Sequence, residues 1–162
     1  MNKFVVAAAA MMLASPALAE SHSSEETMAP AGDIAAGEEA FNRQCVACHV
    51  VKDGDGEVLA GRNARTGPNL YALAGKTLGS EDGFRYGKSI VKLGESGMTW
   101  DEEKFVGYVQ DPTQWLRDTL EDKKARGKMA FKVRKEEDAV DLYAYLYSLA
   151  PPAMEGDEAA TN

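Results

Sequence analysis

Between Gly32 and Ala150 the apolar positions fall on a helical period, marking four helices and a weaker fifth. Asp33 is a good N-cap for a helix of roughly Ile34 to Gln44, on whose inner face Gly37, Phe41 and Cys45 recur every four residues. Thr99-Trp100-Asp101-Glu102 reads as a capping box, Thr99 and Glu102 each satisfying the other's orphan amide. The helix it opens carries Phe105, Val106, Tyr108 and Val109 and must stop before Pro112. Asp111-Pro112 then starts a short helix with Asp as cap and Pro at its first position, holding Trp115 and Leu116. The last helix, roughly Glu136 to Leu149, aligns Leu142, Tyr145, Leu146 and Leu149 and ends at Pro151-Pro152. A weaker helix covers Gly87 to Leu93. No convincing strand alternation is visible, and the stretches Val50 to Leu70 and Arg117 to Phe131 read as irregular. Loops that long in a small all-α domain need something to hold them.

The ends have a different character. Lys3, the apolar run Phe4 to Ala14 and Ala17-Leu18-Ala19 form the three parts of an export signal, so residues 1–19 are expected to be removed and the remainder placed in a bacterial periplasm. Residues 20–32 read as a disordered acidic lead-in, 33–150 as a single domain and 151–162 as an acidic flexible tail. The chain has 18 basic and 26 acidic groups; losing Lys3 with the leader leaves 17 against 26, a net charge of −9. That balance argues against a nucleic-acid partner.

Cys45-Val46-Ala47-Cys48-His49 carries the chemistry. C-x-x-C-H is the spacing of covalent haem attachment: two thiols one turn apart add across the vinyl groups of one haem, and the histidine falls beneath the iron. A redox or structural C-x-x-C pair is the plainer alternative. These are the only cysteines, and the one other histidine, His22, sits in a polar tail, which leaves a zinc site short of ligands. A thioredoxin-like motif would need a βαβ context that the sequence lacks.

An electron-transfer haem takes a second axial ligand, and a thioether raises the potential by favouring ferrous iron. Beyond the leader the methionines are Met28, Met98, Met129 and Met154. Met28 and Met154 lie in the loose ends, and Met98 adjoins the capping box, where packing is its natural role. Met129 sits in the interhelical loop Gly127-Lys128-Met129-Ala130-Phe131, distant in sequence from His49. Spacing alone leaves ligation and packing equally open for it.

Gly37-x-x-x-Phe41, the C-x-x-C-H motif, Thr66-Gly67-Pro68-Asn69-Leu70, Gly83-Phe84-Arg85-Tyr86, Thr99-Trp100, Tyr108, Lys128-Met129-x-Phe131 and Asp141-Leu142-Tyr143-Ala144-Tyr145-Leu146 occur in that order. In this the chain resembles the class I cytochromes c from about Gly32 to Leu149, and its extended loops look like those of the large bacterial cytochromes c2. The resemblance implies an all-α class I cytochrome c fold around one haem c bound through Cys45 and Cys48, with His49 and Met129 as axial ligands. It implies that the Pro68 carbonyl accepts a hydrogen bond from His49, that Tyr86 and Trp100 donate to a buried propionate, and that Tyr108 lies beside the Met129 sulfur. Gly37 and Phe41 would pack on Tyr145. The family often has arginine after the glycine matching Gly75; here Lys76 follows.

Lys123, Lys124, Arg126, Lys128, Lys132, Arg134 and Lys135 form a basic run with no acidic residue among them, bracketing Met129. A charge run is usually a solvated face. Placed at an electron-exit edge, it would steer a monomeric carrier onto acidic partners. The resemblance implies a soluble periplasmic electron carrier, not an enzyme, reduced by a cytochrome bc1 complex and oxidised by a terminal oxidase or photosynthetic reaction centre. The alternative is a haem subunit dedicated to a periplasmic reductase or dehydrogenase. A gas-binding four-helix cytochrome fits poorly, since in those the haem motif lies near the chain's end.

Overall fold

The computed structural model describes residues 29–152; the expected leader and most of both expected tails lie outside them. Five helices and one short hairpin follow in the order α1 (Ile34–Gln44), β1 (Val50–Lys52), β2 (Val58–Gly61), α2 (Lys88–Glu95), α3 (Glu102–Gln110), α4 (Pro112–Thr119) and α5 (Glu136–Leu149). The chain is therefore helical as its periodicity suggests, with the hairpin as an addition.

The frame is the crossing of α1 and α5. The Asp33 side chain caps α1 by accepting from the Ala36 N–H at 2.8 Å, and its own N–H donates to Asp141 Oδ1 at 2.8 Å, so the cap of one helix is anchored on the other. Gly37 makes the close approach possible. A Cβ there would sit 2.0 Å from the Asp141 carbonyl oxygen and 2.7 Å from Tyr145 Cβ. Phe41, wholly buried, meets the Tyr145 ring at 5.7 Å between centroids. Gln44 Nε2 reaches Asp138 at 2.8 Å and closes the far end of the crossing.

Two sequence expectations need correction. The stretch after His49 is not wholly irregular. Val50 pairs with Gly61 and Val51 with Ala60, and a register shift beyond Val51 sets Lys52 opposite Val58. Asp53 makes the turn by accepting from the N–H groups of Asp55 and Glu57, an Asx arrangement that three- and four-residue strands cannot signal by periodicity. The second correction concerns α3, whose N-cap is Asp101, accepting from the Lys104 N–H at 2.8 Å, and not Thr99. Thr99 and Trp100 are held extended against residues 75–78. The Trp100 N–H donates to the Lys76 carbonyl at 2.9 Å, and the Trp100 carbonyl accepts from the Gly75 N–H at 2.8 Å. Residues committed to that pairing cannot also turn into a helix.

Asp111 caps α4 through the Gln114 N–H, with Pro112 at the first helical position as expected. α2 begins one residue after Gly87 and runs to Glu95.

Candidate functional site

α1 ends at the C-x-x-C-H motif. The Cys45 N–H donates to Phe41, and the Cys45 carbonyl then accepts from both Cys48 and His49, at 3.0 and 2.9 Å. This tight turn brings both thiols and the imidazole to the wall of one cavity of about 930 Å³. The volume lies within the range of about 300–1,000 Å³ usual for cofactor sites. Leu73, Ile90, Val109, Val133, Leu142 and Leu146 give it an apolar lining.

His49 is oriented by the segment that follows the hairpin. Its Nδ1 lies 3.0 Å from the Pro68 carbonyl oxygen, which can only accept, so Nδ1 carries the proton and Nε2 keeps its lone pair. Asn69 fixes the height of that carbonyl by mimicking a strand partner. Its Oδ1 accepts from the Lys52 N–H at 2.9 Å, and its Nδ2 donates to the Lys52 carbonyl at 2.7 Å. Gly67 lies flat against the ring: a Cβ there would stand 2.4 to 2.7 Å from three imidazole atoms. Only glycine fits, a constraint that the Thr66-to-Leu70 motif contains but that spacing does not reveal. Burial lowers the His49 pKa, and the bond to Pro68 opposes this in part, so the ring is a neutral donor of its Nε2 lone pair.

Burial, then the neighbouring Cys48, push the Cys45 thiol up to about 12. An apolar setting that disfavours thiolate suits a thioether. Among the described residues no group of three or more His, Cys, Asp or Glu side chains is placed to hold a metal ion.

Across the cavity walls stand Met129, Tyr86, Trp100, Tyr108 and Lys76, so the expected site residues are gathered in one place. Met98 packs against the core and is not among the lining residues. Tyr86 and Tyr108 are pushed up to about 12, chiefly by burial, so both phenols keep their protons as donors. Trp100 is braced edge-on by Tyr108 at 5.2 Å and stacked on Trp115 at 6.1 Å, which fixes the indole from two sides. Lys76 stands at this wall, its ammonium 2.5 Å from Glu81 and 3.1 Å from the Tyr71 carbonyl.

The sequence reading missed Arg65 and Arg85. Both line the cavity, from the segments before Gly67 and before Tyr86, far in sequence from the basic run. Two lysines of the basic run have partners. Lys132 is paired with Asp111 at 2.5 Å and holds that carboxyl below the usual range, while the Lys128 ammonium donates to the Arg85 carbonyl.

A covalently attached haem fits this chain: an apolar slot of suitable size with two thiols, a preset imidazole and a thioether in its wall. The comparisons with known proteins agree. The cytochrome c family model matches residues 34–150. A cytochrome c2 of Rhodovulum adriaticum is 61% identical over 118 residues, covering 73% of this chain and 93% of that protein. One from Cereibacter sphaeroides is 48% identical over 146 residues, or 90% and 93% of the two chains. Among solved structures, cytochrome c2 from Rhodobacter sphaeroides superposes with a TM-score of 0.71 at 51% identity, over 74% of this chain and 97% of that one. The Paracoccus denitrificans protein gives 0.70 at 40% identity, over 75% and 99%.

Proposed function

The chain belongs to the cytochrome c family and is an electron carrier with one covalently bound haem c, and from that premise we propose a soluble, periplasmic, monomeric shuttle rather than an enzyme. It takes single electrons from a cytochrome bc1 complex and delivers them to a terminal oxidase or photosynthetic reaction centre. The observation that carries this reading is that His49 and Met129, from segments eighty residues apart, stand in the walls of the same cavity as Cys45 and Cys48. A haem supplies reversible one-electron exchange between ferric and ferrous iron. The chain's residues do the rest. Cys45 and Cys48 would tether the haem, and His49 and Met129 would each offer it a lone pair from the wall, which would leave no place for a substrate. Pro68 fixes the imidazole, and from the cavity wall Tyr86 and Trp100 would donate to a haem propionate while Tyr108 would stand by the thioether. Rigid supports suit this task, because a carrier that rearranges little exchanges electrons fastest.

Charge supports the partner assignment. A second groove of about 740 Å³ beside the cavity is lined by Arg43, Lys132, Arg134, Lys135 and exposed Phe131, with Asp138, which pairs with Arg43, as its one acidic residue. Arg126, Arg65 and Arg85 border the cavity itself. Lys123, Lys124, Arg126, Lys128, Arg134 and Lys135 are the cations of the run whose side chains make no ion pair among the described residues, and they do the steering. Among the described residues the exposed large apolar side chains are Ile34, Val58, Leu59 and Phe131, spread over α1, β2 and the loop before α5. That scatter favours a diffusing carrier over a permanently docked subunit.

Reversing Arg126 and Lys135 to Glu is expected to slow bimolecular electron transfer about tenfold or more at low salt, through association, with the absorption spectrum unchanged. The wild-type rate should fall as salt rises, because the Debye length shrinks to about 8 Å at physiological ionic strength. A wild-type rate that rises with salt would assign control to the overall negative charge and remove the patch from the account.

A further inference from the structure

We infer that Lys128 and Lys132 are positioning residues: the two lysines straddle Met129 and clamp its loop shut over the cavity. The inference rests on Met129 being the axial ligand, as proposed above. Between Gly127 and Val133 the backbone takes no part in hydrogen bonding among the described residues. The last tie before this stretch is the Gly127 N–H to Thr113 Oγ1 at 3.3 Å, and the next is the Val133 N–H to the Val109 carbonyl at 2.9 Å. Met129 therefore sits in a five-residue span, Lys128 to Lys132, without a backbone bond of its own.

What holds the span is its side chains. On one side of Met129 the Lys128 ammonium donates to the Arg85 carbonyl and lies 5.9 Å from the Phe84 ring centroid. Its Cγ would stand 3.5 Å from a Cβ on Gly87, so the stem runs along the same turn. Two residues earlier the Arg126 N–H donates to Ser89 Oγ at 3.1 Å, continuing the seam toward α2. Phe84 is itself set edge-on against Tyr86 at 4.8 Å. On the other side of Met129, Lys132 reaches across to Asp111, the residue that caps α4. The two anchors belong to different elements, so lifting Met129 from the cavity requires breaking at least one of them.

Backbone without hydrogen bonds opens at low free energy unless something else ties it down. Each lysine is a charge-assisted donor, and their surface exposure reduces what each contributes. The clamp thus governs how often the methionine leaves, with little effect on the helical frame of α1 and α5.

The test is imidazole binding to the oxidised holoprotein, which requires Met129 to move away. Lys128→Met and Lys132→Met keep the stem and remove the donor. Each is expected to bind imidazole about threefold to tenfold more tightly than wild type, and to speed amide hydrogen exchange over residues 128–132. The far-ultraviolet melting of the helices should stay unchanged. Lys128→Arg, which retains a donor, should stay near wild type. Lys92→Met, an exposed α2 lysine outside the seam, controls for loss of one positive charge. If Lys128→Met and Lys132→Met match Lys92→Met in affinity and exchange, the clamp is overturned. It is equally overturned if tighter binding comes with an equal loss of global stability. Failure of the underlying assignment would look different, since Met129→Leu would then keep the far-red sulfur-to-iron band.

Discussion

Met129→Leu is expected to abolish the weak far-red sulfur-to-iron band of the oxidised protein, to admit carbon monoxide to the reduced protein and to lower the reduction potential. The thioether favours ferrous iron, and leucine has the bulk of methionine without a lone pair. The apolar wall formed with Val109, Val133 and Leu146 should survive the exchange, because a Leu-for-Met swap nearly conserves volume and typically costs less than about 1.5 kcal/mol. Changes in ligation can thus be separated from unfolding. Met98→Leu is the matched control. Its side chain packs against the core away from the cavity, and the Met98 carbonyl, which accepts from the Leu78 N–H at 3.0 Å, is untouched by the substitution. The band should therefore persist in Met98→Leu, and its loss there instead would move the ligand to Met98.

Replacing both Cys45 and Cys48 by Ala is expected to leave any haem extractable by acid–acetone and the chain without its native fold. The loss follows from the cavity. Leu73, Ile90, Val109, Val133, Leu142 and Leu146 face a space that the haem would fill, so without it their apolar surface meets water and adds little to a stability of about 5–15 kcal/mol. The α1–α5 crossing alone cannot carry the molecule. Circular dichroism of the double variant should show loss of helix together with loss of covalent colour. A variant that retained haem through acid–acetone would contradict tethering at these two residues.

Much of this was legible in the sequence because it rests on local signals. Asp33, Asp111 and Pro151 mark helix ends through capping and proline chemistry, and α1 and α5 span the residues that their periodicity indicates. The C-x-x-C-H motif is legible from its own spacing, whereas Pro68, Tyr86, Trp100, Tyr108 and Met129 follow only from the resemblance to class I cytochromes c; these residues line one cavity with Cys45, Cys48 and His49. What stayed hidden depends on pairing across the chain. The hairpin of Val50–Lys52 and Val58–Gly61 is too short for an alternation signal, and Asp53 sets its turn by side-chain bonds. Thr99 looks like a helix cap until residues 75–78 are seen to pair with it. The charge run shows Lys128 and Lys132 only as cations; that their ammonium groups reach the Arg85 carbonyl and Asp111 is set by folding. Arg65 and Arg85 join the cavity rim only through folding, so no local run could point to them.

The most direct test of the carrier assignment is the oxidation of the reduced protein by membranes of the source organism, followed at the haem absorption with the protein in large excess over membrane acceptors. A diffusing carrier should be oxidised completely, over many turnovers per acceptor, with an initial rate proportional to acceptor concentration and falling as salt rises. Oxidation that stops after one equivalent per acceptor, or that proceeds only when a dedicated reductase or dehydrogenase is added, would contradict the shuttle and make the protein a subunit of that enzyme.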